Sequence, residues 1–413
     1  MKGVGRINLL KSKINRNIII MMLVLSGILL FSLLLFKSSY AIKSDNDDED
    51  NDVGLEYIFD PGKYIEYKEE KKEEKEKEET TNNNLNKQVN KTKPSESIII
   101  NNQVKDANIT KNNNNNTIIN NFVEKPNDNN SSTDYNFIAA GDWYCNEETK
   151  KTINNILAQH PELIITTGDQ VKESPSASCW IEMSKSIKDK MKIAIGNHDA
   201  EFANIYKQIV DYHQLKSPYY SHDFRNIHFI SMSTEHPFEK GSKQYEFIKS
   251  DLAKTSTNSS IDWIVVHQHK PLYSTNQDKV EAEQLRDIYQ QLFQQYDVDL
   301  VISSHNQYYE RTYPILYNAD FEKNTNKKVE PKPIITNNSQ SVYSDKDNGI
   351  IFLTVGTAGD ELDPVKEKHK YYVTQESKFG FLEIEIENDG KTLVGQFHAN
   401  DGMVLDQFTL NDT

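Results

Sequence analysis

Five short apolar runs after residue 135 each end in a residue able to bind a metal ion. FIAAG is followed by Asp142, LIITTG by Asp169, and KIAIG by Asn197, His198 and Asp199 in turn. WIVVHQ is followed by His269 and DLVISS by His305. Carboxylate, amide oxygen and imidazole are ligands for borderline or hard ions such as Zn, Fe and Mn. Taken singly, a Gly-Asp pair is usually a turn, and a lone histidine at a strand end is usually structural. Five such endings together point to one shared metal site. GNHD (residues 196–199) is the most specific, because one tight turn carries an amide, an imidazole and a carboxylate.

The runs that deliver these residues set the fold class. Between them lie helical lengths such as NEETKKTINNILAQ, where Asn146 is placed to cap and Glu147 and Glu148 fall in the first turn. Short buried strands alternating with helices indicate an α/β protein. In open sheets of this kind ligands bind beyond the carboxyl ends of the strands, which is where the candidate ligands fall. The last part reads differently. GIIFLTVG, FGFLEIEIE, TLVGQFH and VLDQFTL look like antiparallel strands, with Asn388-Asp389-Gly390 as a hairpin turn.

In order and spacing, GDW, GDQ, GNHD, VHQH and SHNQYYER resemble the calcineurin-like metallophosphoesterase superfamily, and within it the purple acid phosphatase branch. That branch's blocks run GDW, GDxxY, GNH(D/E), VxxH and GHxH. The resemblance spans about Tyr135 to Phe408. It implies a central β-sandwich flanked by helices, α/β or α+β by different schemes. It also implies two divalent or trivalent ions, drawn from Fe, Zn and Mn. Asp142 would bind the first ion, Asp169 would bridge, and Asn197, His269 and His305 would bind the second. His198 would assist the leaving oxygen, with Asp199 as its orienting partner. Two ions so placed position a shared hydroxide for in-line attack on a phosphate monoester. A phosphodiesterase of the same fold, or a weak or dead surface-binding homologue, are the alternatives, since fold and metals do not fix the ester.

The chain departs from the branch at the first ion. The tyrosine of GDxxY is Lys172, the second histidine of GHxH is Gln307, and the glycine before the first histidine is Ser304. Two readings follow. In one, Asp142, Asp169, the amide oxygen of Gln307 and water hold a hard ion such as Mn²⁺ or Mg²⁺ weakly. In the other, the Lys172 ammonium reaches Asp142 and Asp169 and stands in for the ion, leaving a mononuclear site. His267, of the same strand parity as His269, reads as structural.

The N-terminal third is organised differently. Residues 1–17 carry Lys2, Arg6, Lys11, Lys13 and Arg16, and an uncharged run, Ile18 to Phe36, follows. Its length suits a membrane-crossing helix, and the basic flank would keep the start in the cytoplasm and the rest outside. A cleaved secretory signal is the rival, with Ser39-Tyr40-Ala41 as the cleavage site. Residues 37–134 read as a disordered charged and Asn-rich tether, leaving 135–413 as the catalytic domain. Sequons at Asn90, Asn108, Asn115, Asn129 and Asn130 make N-glycans on the tether an expectation. A net charge of −15 argues against nucleic acid as a partner, and the resemblance implies a phosphorylated small molecule as substrate. The only cysteines, Cys145 and Cys179, flank two of the metal loops, and a disulfide between them suits an oxidising compartment.

Overall fold

A computed structural model describes residues 134–413 apart from 173, 175, 276–278, 325–329 and 366–368. The apolar run at 18–36, the tether and its sequons lie outside the described residues. Among the described residues no helix is long and apolar enough to cross a membrane.

The elements run in the expected alternation to begin with. They are β1 (Tyr135–Ala140), α1 (Glu147–Ala158), β2 (Leu163–Thr166), α2 (Ser178–Met183), β3 (Met191–Ile193) and α3 (Ala203–His213). A hairpin of β4 (Tyr220–Phe224) and β5 (Ile227–Ser231) follows, then α4 (Lys243–Thr255), β6 (Trp263–His267), α5 (Lys279–Leu285) and α6 (Gln291–Gln295). After β7 (Leu300–Ser303) come β8 (Tyr309–Thr312), β9 (Ile315–Leu316), α7 (Ala319–Asn324), β10 (Ile334–Ile335), β11 (Val342–Ser344) and β12 (Ile351–Val355). The chain ends in β13 (Tyr372–Glu376), β14 (Gly380–Glu387), β15 (Thr392–Ala399) and β16 (Val404–Asn411).

The strands form two seven-stranded sheets, β11-β16-β15-β14-β1-β2-β3 and β13-β8-β12-β7-β6-β5-β4, plus the β9–β10 ribbon. Strand alternation builds three layers of core from them. Phe137 and Ala139 of β1 face inward with Phe229, Val265 and Ile302 of the opposite sheet. Ile138 and Ala140 point outward onto α1–α3, while Ile264, Val266 and Val301 point outward onto α4 and the segment before β7. Edge-to-face packing of Phe137 on Phe229, with centroids 5.0 Å apart, joins the sheets. A central β-sandwich flanked by helices is therefore what the chain forms.

Local turn chemistry explains the ends. Asn146 caps α1 by accepting from the Thr149 amide at 2.9 Å, as expected, and Thr149, Thr152, Ile153 and Ile156 bury its inner face. The hairpin between β14 and β15 has Asn388, Asp389 and Gly390 all at positive φ, the geometry that their sequence suggests. One expectation needs correcting. GIIFLTVG supplies β12, which is antiparallel to β8 on one side but parallel to β7 on the other. A long excursion after β7 brings the chain back to begin β12 from the same end, so that strand extends the parallel run.

At the far side of the sandwich Arg311 is 1 % exposed and makes a two-pronged ion pair with Asp406, at 2.6 and 2.8 Å. It pins β8 of one sheet to β16 of the other.

Candidate metal centre

The parallel strands β1, β2 and β3 of one sheet and β6, β7 and β12 of the other all send their carboxyl ends to one cleft. Asp142, Asp169 and His305 each sit just past a strand end with φ of 57°, 50° and 70°. Such backbone is strained for residues with a Cβ and survives where the surroundings dictate it. Gly168 and Gly196 make this crowding possible. A Cβ on Gly196 would lie 2.2 Å from Asp169 Oδ1, and Gly168, at φ +101°, lies against the His269 ring.

Asp169, His269 and His305 place one ligand atom each within 4.8 Å of one another. His269 is fully buried, and its Nδ1 faces the Thr167 carbonyl at 2.9 Å, which leaves Nε2 aimed into the cleft. There Nε2 meets Asn197 Oδ1 at 2.9 Å, His305 Nδ1 at 3.2 Å and Asp169 Oδ2 at 3.3 Å. Four donors from four different loops thus converge, and the set of carboxylate, amide oxygen and two imidazoles fits a borderline divalent ion.

The electrostatics agree. Burial opposes a proton on His269, but Asp169 and Asp142 outweigh it and raise its pKa to about 9. A cation seated among these groups would take the place of that proton. Burial also works against the Asp169 carboxylate, and His269 reverses this, so its pKa is lowered. Burial, assisted by His269 and Lys270, pulls His305 down to about 3, leaving a neutral ring with a free lone pair.

Asp142 is in the same cleft but differently engaged. Its Oδ2 accepts from the His305 amide at 2.7 Å and its Oδ1 from Gln307 Nε2 at 3.0 Å. Burial pushes its carboxyl up to about 6, with His269 opposing and Asp169 adding to the rise. Lys172 does not bridge Asp142 and Asp169. Its ammonium pairs with Asp360, whose own amide donates to the Asp142 carbonyl at 3.0 Å. Burial disfavours the Lys172 charge, but Asp360 foremost, then Asp142 and Asp169, keep its pKa raised.

The expected pairing of His198 with Asp199 also needs correcting. Asp199 is wholly buried, and its oxygens accept from the Val171 amide at 3.0 Å and the Gly196 amide at 2.9 Å. It clamps two loops together. His198 instead faces outward, with Nδ1 3.3 Å from Glu201 Oε2, because the turn after Gly196 brings positions three apart onto one side. The His198 amide donates to Asp169 Oδ1 at 2.9 Å, so this turn also orients the central carboxylate. His267 is buried beneath the site with Nδ1 3.4 Å from the Thr166 carbonyl, a structural position. Cys145 and Cys179 are joined, tying the loop after β1 to α2.

Four site residues escaped the sequence reading: Asp360, Glu235, Lys270 and Glu281. Asp360 follows β12 and obeys the same strand-end rule as the others, so that rule would have found it. Glu235 and Glu281 hold Lys270 beside the second histidine loop, at 2.9 and 2.7 Å. No local pattern announces that trio.

Residues 135–309 match the family model described as calcineurin-like phosphoesterase. A protein of Arabidopsis thaliana named "Probable inactive purple acid phosphatase 27" is 30% identical over 199 residues, covering 46% of this chain and 30% of that protein. "Purple acid phosphatase 22" of the same plant is 25% identical over 287 residues, covering 64% of this chain and 60% of its own length. The chain therefore spans less than two thirds of either relative. A purple acid phosphatase from yellow lupin (Lupinus luteus) seeds superposes with a TM-score of 0.55 at 21% identity, over 68% of this chain and 54% of that one, which shows a shared fold.

Proposed function

We propose that the protein is a metal-dependent phosphoesterase acting on phosphate monoesters, a reading supported by the match of residues 135–309 to the calcineurin-like phosphoesterase family and by the purple acid phosphatases among its relatives. The observation that carries this reading is the convergence of Asp169, Asn197, His269 and His305 on one buried point. These four would hold the ion. When bound, it would supply Lewis acidity, lowering the pKa of water and neutralising charge on phosphoryl oxygens.

The chain's own residues do the rest. The Thr167 carbonyl and Ser304 hydroxyl fix the His269 ring, so its lone pair needs no reorganisation. Asp199 locks the loops carrying Asp169 and Asn197 at a fixed separation. His198, partly exposed at the rim with Glu201 beside its ring, would give a proton to the leaving oxygen.

The proposal extends to location: the basic flank and apolar run at 18–36 support export with the domain outside, membrane-held or released by cleavage. The Cys145–Cys179 disulfide suits that compartment.

The test is hydrolysis of p-nitrophenyl phosphate and of bis(p-nitrophenyl) phosphate by the full chain, beside Asn197→Ala. Turnover of the monoester that disappears in the variant supports the reading. A preference for the diester would move the substrate class toward the one named by a barley (Hordeum vulgare) relative, "Nucleotide pyrophosphatase/phosphodiesterase", 24% identical over 280 residues. Equal turnover in both proteins would refute the assigned centre.

A further inference from the structure

We propose that this centre holds one ion rather than two, because the Asp142 half is closed to a cation by the Lys172–Asp360 pair together with Gln307. The inference rests on the metallophosphoesterase reading and sharpens it.

Three observations support it. The first is charge. The Lys172 ammonium is anchored by Asp360, whose side chain is 7% exposed, and Asp360 is tied by its amide to the Asp142 backbone. The ammonium supplies positive charge near Asp142, partly offset by Asp360, and so weakens the pull of that half on a second cation. The second is hydrogen bonding. Both Asp142 oxygens already accept from protein donors, the His305 amide and Gln307 Nε2. The third is Gln307 itself. Its Nε2 also donates to the His305 carbonyl at 3.1 Å, so the side chain is held as a donor by two acceptors. Turning its oxygen toward Asp142 to serve as a ligand would forfeit both bonds.

The opposite half also has an accepting carboxylate, since Asp169 Oδ1 takes the His198 amide, and an acid-paired ammonium nearby in Lys270. What distinguishes it is that Asp169, Asn197 and His305 all turn acceptor atoms toward His269 Nε2, where Gln307 turns a donor toward Asp142. The same loop, residues 304–307, supplies a ligand to one half through His305 and a blocking donor to the other through Gln307.

The decisive measurement is a metal count on the full chain. The protein is stripped with chelator, reloaded with excess Zn²⁺ or, separately, Mn²⁺, desalted, and analysed by inductively coupled plasma mass spectrometry. One ion per chain is expected with either metal. Two ions per chain would overturn the proposal while leaving the phosphoesterase reading intact. No retained ion would overturn both.

A double variant, Lys172→Tyr with Gln307→His, removes the ammonium and the blocking amide together. Its count should rise from one to two. A folded double variant, checked by circular dichroism, that still holds one ion would contradict the role given to these two residues. If the variant does not fold, the wild-type count decides the proposal by itself.

Discussion

On the Asp169 side of the cleft, Asn197 Oδ1, His305 Nδ1 and Asp169 Oδ2 turn toward His269 Nε2, while Asp169 Oδ1 accepts from the His198 amide. On the Asp142 side, every carboxylate oxygen already accepts a hydrogen from the protein, and an ammonium stands nearby with its own acidic partner. The two sides are made from the same strand ends and share the 304–307 loop. Their difference lies in a few side chains at matching depth: His269 and His305 against Gln307 and Lys172. A metal site is thus defined less by carboxylates, which both sides have, than by whether the remaining groups bring lone pairs or protons.

Substitutions can break or sharpen that contrast. The largest effect is expected from His269→Ala, which removes the ring around which the other donors gather. Turnover should fall by on the order of 1000-fold and retained ion should vanish, since even outer partners of metal ligands matter by about 10–100-fold. Metal analysis and initial rates check it together. His198→Ala should cut kcat by roughly 100-fold, typical of a lost general acid, while the ion count stays unchanged. Loss of the ion in that variant would move His198 from the reaction to the metal.

The strand that follows the loop shared by both sides carries a buried acid. Glu310 is fully buried and accepts from Thr275 Oγ1 at 2.7 Å and Gln375 Nε2 at 2.8 Å, and burial raises its pKa to about 7. A carboxyl with a folded pKa raised above its unfolded value favours the fold most at low pH. That contribution fades as pH rises from the unfolded value of about 4.5 through 7. Glu310→Gln keeps the shape without the charge. Its stability relative to the native chain should therefore improve between pH 5 and 8, by up to about 3 kcal/mol. Urea melts at the two pH values read this directly, and a difference independent of pH would show that Glu310 does not titrate in that window.

The smallest effect on binding is expected from Asp142→Asn. If the Asp142 side holds no ion, the metal count should be unchanged and turnover should drop by less than about tenfold, in contrast to the loss of a true ligand in His269→Ala. Loss of the ion from Asp142→Asn would mean that the two halves work as one centre.

What the sequence disclosed follows physical range. That Asp142, Asp169, Asn197, His269 and His305 gather in one cleft was legible because each follows a buried strand, and strand ends in such sheets meet at one edge. Asn146 and the Asn388–Gly390 turn were legible because caps and turns depend on neighbours a few residues away. Lys172 was conspicuous as a departure, but its partner Asp360 lies 188 positions along the chain, and no local pattern joins them. Asp199 misled for the opposite reason. Adjacency to His198 suggested partnership, whereas the tight turn sends one side chain into the protein and the other out toward Glu201. The mixed pairing of β12 was hidden likewise, since period-two hydrophobicity shows a strand and not the direction of its neighbours.

The most direct measurement joins ion to turnover. The full chain, stripped by chelator, would receive Zn²⁺ in steps while p-nitrophenyl phosphate hydrolysis is followed. The Asp169–Asn197–His269–His305 centre predicts no activity without metal and a rise that saturates near one ion per chain. Activity that persists through chelation, or that fails to return as the ion is restored to folded protein, would contradict it.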